Sequence, residues 1–132
     1  MSQVFSADSV STAAPVTVTG LSEIFILTGN FLSPPFQNAK ALFIATANFT
    51  AGTSCTSVHL RVHRNPSAEN TQVAAAFNVS VTGGNIYQLT LQGADAIPDP
   101  RPVQYGLSIT QVGASANGTA SSANITTMLI SG

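Results

Sequence analysis

Apolar residues in this chain recur with a period of two, and that period limits its possible folds more than any other feature. Side chains on a strand alternate between faces, so every-second-residue burial suits a sheet and cannot make the stripe of an amphipathic helix. Val16–Thr19 opens with strict alternation, and Glu23–Thr28 (EIFILT) is a short apolar run closed by Gly29-Asn30. Ala41–Phe49 (ALFIATANF) follows. In Ser57–His63, Val58, Leu60 and Val62 share one face and His59, Arg61 and His63 the other. Val73–Val81 stops at the hairpin signal Thr82-Gly83-Gly84-Asn85, after which Ile86–Leu91 resumes. Val103–Val112 and Asn124–Ile130 complete eight strand candidates.

No window shows an apolar stripe at helical spacing with good helix formers and caps. Thr, Ser, Val and Ile fill the runs while Glu and Lys are nearly missing, a preference for pleated, half-buried surfaces. The expected fold is all-β: an eight-stranded antiparallel two-sheet sandwich, a jelly roll, over residues 16–132. Residues 1–15 are small and polar and read as an extended N-terminal arm. Phe31–Asn38 (FLSPPFQN) sets two prolines between aromatics and reads as a loop with an apolar surface. Gly93–Pro102 (GADAIPDPRP) holds three prolines and reads as a stiff connection.

Charge narrows the function. Only 7% of the 132 residues are Asp, Glu, Lys or Arg, and the net charge is −1. Lys40, Arg61, Arg64 and Arg101 cannot form the basic stripe of a nucleic-acid binder. A 44% hydrophobic content excludes a disordered solvating chain. Cys55 stands alone, so no internal disulfide forms and synthesis in a reducing compartment is expected. Met1–Ser11 lacks the features of a secretory leader, and no apolar stretch reaches the ~18 residues of a membrane span. Synthesis in a cytoplasm, without membrane or cofactor, is the expectation.

The residues that carry chemistry elsewhere are poorly placed for it here. His59 and His63 share a strand face, but four residues at about 3.3 Å each hold them about 13 Å apart, too far to ligate one ion. One His from each of three copies could converge on an axis; ordinary outward-facing histidines are expected instead. Asp95 and Asp99 are the nearest carboxylate pair, with neither a flanking aromatic nor Trp for a sugar. Cys55 has no acid or nucleophile elbow beside it, and Gly83-Gly84 joins strands and does not open a helix. Four Asn-x-Ser/Thr matches, at Asn48, Asn78, Asn117 and Asn124, are expected by chance in a chain this rich in Ser and Thr. No catalytic, metal or cofactor residue is assigned.

A sheet protein with so few charges has outward positions of Thr, Ser, Asn, Gln and Ala, which desolvate cheaply and suit burial against other protein. The run of features, ILTGNF, AKALFIATANFTAG, SVHLRVHRN, AAAFNVSVTGGNIYQLTLQG and the final strand ending at Ile130, resembles the small jelly-roll virion proteins. It is similar in style to tailed-phage decoration (cement) proteins and to tumour-necrosis-factor-like or C1q-like phage heads. The resemblance implies a non-enzymatic capsid decoration protein on the virion surface, bridging neighbouring subunits of the major capsid protein and associating with copies of itself, a trimer being favoured. Expected contact residues are Val4 and Phe5 on the arm, Phe31 and Phe36 on the proline loop, His59, Arg61 and His63 on the polar strand face, and Arg101 and Tyr105. The alternative is a receptor- or glycan-binding head, with Asp95, Asp99, Arg101 and Tyr105 at one end of the sandwich.

Overall fold

All eight alternating segments are strands, and a ninth precedes them. The computed structural model describes residues 4–12, 15–35 and 37–131, and of residues 4–6 the backbone. The strands are β1 (Val4–Thr12), β2 (Val16–Val18), β3 (Ile24–Thr28), β4 (Ala39–Thr50), β5 (Ser57–Arg64), β6 (Thr71–Ser80), β7 (Ile86–Ile97), β8 (Tyr105–Val112) and β9 (Gly118–Ser131). No helix occurs among the described residues. One sheet has the order β1-β9-β4-β7, with β2 also on β9; the other is β3-β8-β5-β6, and all pairs are antiparallel. From β2 onward consecutive strands lie in opposite sheets except the neighbouring pair β5 and β6, which is the jelly-roll path.

The period-two pattern is what joins the sheets. Along β4 the odd-numbered residues Ala41, Phe43, Ala45, Ala47 and Phe49 are buried while the even ones face outward. Val58, Leu60 and Val62 of β5, Leu107 and Ile109 of β8, and Ile125 and Leu129 of β9 meet them in one core.

Two elements differ from the expectation. Residues 4–12 are extended, but their backbone pairs with β9 of the same chain from Val4↔Ile130 to Thr12↔Ala123, so the arm is an edge strand of the sandwich. The segment from Gly93 is not wholly a loop: β7 continues through it to Ile97. A Cβ on Gly93 would stand 3.0 Å from the Phe43 ring and 3.1 Å from Ala74, so glycine is there to let the core aromatic pack under the strand. Gly118 does the same for Phe49 at the start of β9, where a Cβ would lie 2.5 Å from the ring.

Candidate functional site

Most of the few charges fall into two clusters. The first closes one end of the sandwich. Arg64, the last residue of β5, faces inward opposite Tyr105 and donates to both carboxylate oxygens of Asp95 on β7, at 2.7 and 2.9 Å. The Tyr105 hydroxyl donates to the same carboxylate at 2.7 Å. Arg64 also donates to Glu69 at 2.9 Å, and Arg101 lies 3.4 Å from that group. Burial alone would lower the Arg64 pKa, but its hydrogen bonds to Glu69 and Asp95 outweigh this and raise it. Burial, then the bond to Asp95, pushes the Tyr105 hydroxyl far up, so it stays a donor. The cluster ties β5, β7 and β8 together across the two sheets.

The second lies on the outer face of the four-stranded sheet. His59, Arg61 and His63 of β5 project there. The His63 Nε2 atom is 3.0 Å from Glu23, and its Nδ1 is 3.4 Å from the Asn70 carbonyl oxygen. Ser108 on β8 donates to the same Glu23 oxygen at 2.6 Å, and Arg61 is 3.6 Å away. Arg61 also donates to Thr110 and sits 5.1 Å over the ring of Phe77, which meets His59 edge-on at 5.0 Å. Burial raises the Glu23 pKa, but hydrogen bonds from Ser108 and His63 and the charges of His63 and Arg61 bring it below the usual value.

This Ser, His and Glu grouping is not a hydrolytic triad. The carboxylate sits between the other two, so the Ser108 proton points at Glu23 and away from any imidazole base, and Ser108 is 0% exposed. Among the described residues no three His, Cys, Asp or Glu side chains gather to hold a metal ion. The Cys55 thiol is buried and donates to the Ser57 carbonyl oxygen. Asp95 turns into the sandwich while Asp99 is exposed, so these two carboxylates do not face one ligand.

The outer face of the five-stranded sheet is nearly free of charge, Lys40 being its one charged residue among those described. The register sets Ala94, Leu42, Met128 and Ala7 in one row, Gln92, Ile44, Thr126 and Ser9 in the next, then Thr90, Thr46, Asn124 and Ser11. An open depression of about 540 Å³ lies among Leu42, Ile44, Ala94 and Met128.

The expected contact residues separate on this frame. Phe31 is 62% exposed beside the short bridge Leu32↔Val103. His59 and Arg61 are half-buried beside the exposed Phe77, which the sequence reading missed although its aromatic ring stands in a run of alanines. His63, expected to face outward for a partner, is on the outward face but 6% exposed, covered by Glu23 and Phe25. Tyr105 is a core residue, 2% exposed and stacked on Phe43, and is not available to a ligand. Arg101 is partly exposed and paired with Glu69. Phe36 and the side chains of Val4 and Phe5 lie outside the described residues.

Two sheets in this order define a jelly-roll β-sandwich. No protein-family model and no curated protein matches the chain. Among solved structures it is similar to the infectious bursal disease virus VP2 subviral particle, with TM-score 0.59 and 12% identity over 96% of this chain and 32% of that one. It is similar also to the T13 particle of that virus, with TM-score 0.58 and 11% identity over 98% of this chain and 34% of that one. The chain thus spans about a third of the length of these virus-particle proteins, and at such identities the likeness is one of fold.

Proposed function

We propose that this chain is a non-enzymatic structural protein of a virion that decorates or cements a bacteriophage capsid, bridging neighbouring major capsid protein subunits and associating with its own copies. The observation that carries this reading is where the charges go. Of nine charged residues, Glu23, Arg61, Arg64, Glu69, Asp95 and Arg101 are engaged in internal ion pairs, so the surface is more neutral than the composition. What remains outside is mostly Thr, Ser, Asn, Gln and small apolar side chains, which cost little to desolvate against a shell. The shared fold with particle proteins of an icosahedral virus supports the same reading. Phe31 is the exposed anchor, and β1, the outermost strand of its sheet among the described residues, offers a capsid strand its regular part from Ser6 to Thr12. In intact particles the chain is expected at a fixed ratio to the major capsid protein, reduced by Phe31→Ser. Free chain with none in particles would overturn the proposal.

One feature favours a receptor- or glycan-binding head instead. The Phe77 ring is 51% exposed and flanked by His59 and Arg61, a flat apolar platform with polar neighbours. Glycan-array binding lost in Phe77→Ala would support that reading, and an array with no hits would remove it.

A further inference from the structure

β7 is the one edge strand among the described residues that is both long and unbroken. Its 12 residues pair with β4 from Ile86 to Ile97 without a register shift, and β4 is its only ladder partner there. In an antiparallel pair alternate residues turn their N–H and C=O groups toward the partner, so about half of the backbone groups of β7 face away from β4. Such an edge is a template for another strand, and proteins guard it with short length, bulges, prolines or charges. The other edges carry those devices. β3 is 5 residues long and shifts register between Phe25 and Leu27. β6 shifts twice and contains the left-handed Asn78 (φ 58°), and β1 shifts between Val4 and Ser6. β7 has no Lys, Arg, Glu or Pro, and its one inward charge, Asp95, is already neutralised by Arg64.

We infer that β7 is the contact between two copies of this chain, paired antiparallel about a two-fold axis at Gln92. A two-fold axis across an edge sets a strand antiparallel to itself. With the axis at Gln92, Thr90 stands opposite Ala94 and Gln88 opposite Ala96, so outer-face residues stay on the outer face while Leu91 meets Gly93 within. No charged side chain meets its own copy there. The apolar depression at Leu42, Ile44 and Ala94 is lined also by Gln92, so a two-fold axis there would set it beside its own copy. A second copy supplies an edge that matches β7 in length, regularity and neutrality residue for residue. The contact joins larger oligomers, the expected trimer included, as readily as single chains, and it rests on the proposed function only in giving its self-association a place.

Sedimentation velocity of the intact chain tests this. The wild type is expected to run as a dimer or an even multiple, and Thr90→Lys with Gln92→Lys, which sets like charges across the axis, is expected to abolish the two-fold contact with an unchanged far-UV spectrum. Thr90→Ser with Gln92→Asn should keep it. Under oxidation Gln92→Cys should give a covalent dimer, a readout that stands even where the lysine variant fails to fold. A monomeric wild type, an equally associated and folded lysine variant, or an oxidised Gln92→Cys that stays single would each overturn the inference. Particles that incorporate a lysine variant still associated as the wild type would sink the contact and leave the virion reading standing; a β7 dimer absent from every particle would do the reverse.

Discussion

At the scale of single residues, the stability of the sandwich end rests on Asp95. Its carboxylate is the acceptor for both Arg64 and Tyr105, and its side chain is 7% exposed. Asp95→Ala leaves the Tyr105 hydroxyl without its acceptor and the Arg64 guanidinium with Glu69 alone, so the cost is expected near the lower end of that for a broken buried pair, about 3 kcal/mol. Urea unfolding should show that loss, while Tyr105→Phe, which leaves Asp95 with Arg64, should cost only about 1 kcal/mol. Glu23 gives a pH test. Its folded pKa lies below 4.5, so the stability it contributes is complete above the unfolded value and disappears as pH falls through the folded one. The difference in Tm between wild type and Glu23→Gln should therefore shrink on acidification from about pH 6 to pH 3. Neither cluster was legible in the sequence. Tyr105, Leu107 and Ile109 do alternate, which marks Tyr105 as inward, but the partner that makes its burial affordable in hydrogen bonds lies on the opposite sheet.

At the scale of elements, the alternating runs were legible because β-branched and aromatic residues mark them, and they became β2 to β9. Strand ends made of small residues were not. β7 at Gly93 and β9 at Gly118 carry no side chain because core rings fill the space beneath these two positions, and with small or proline-flanked neighbours they resemble loops in sequence. Loops at the opposite end of the sandwich from Asp95 depend on one buried amide. Gln111 of β8 accepts from the Gly52 N–H at 2.7 Å and donates to the carbonyls of Gly20 and Ala116 at 3.2 and 3.3 Å. Gln111→Leu preserves bulk but leaves the Gly52 N–H and those carbonyls without this partner, at an expected cost of about 1–3 kcal/mol. Hydrogen exchange should locate the loss in residues 19–21, 51–54 and 113–117; a loss spread evenly over both sheets would show that the amide does not act as a local clamp.

At the scale of the whole molecule, the charge count was legible but its placement was not, because ion pairing across strands and sheets depends on register. With six of nine charged residues engaged internally, Asp8, Lys40 and Asp99 are those with no ion-pair partner among the described residues. An attachment made by such a surface draws on apolar burial and neutral hydrogen bonds, and long-range steering contributes little to it. Raising NaCl to about 1 M shortens the Debye length to about 3 Å and removes attraction between exposed charges, yet it leaves apolar contacts intact. Occupancy of the chain on particles is therefore expected to survive that wash. Sulfate, which is excluded from protein surfaces, should strengthen it. Densitometry of the chain against the major capsid protein after each wash measures both effects. Release by NaCl alone would mean that the three remaining charges, and not the neutral faces, hold the chain in place.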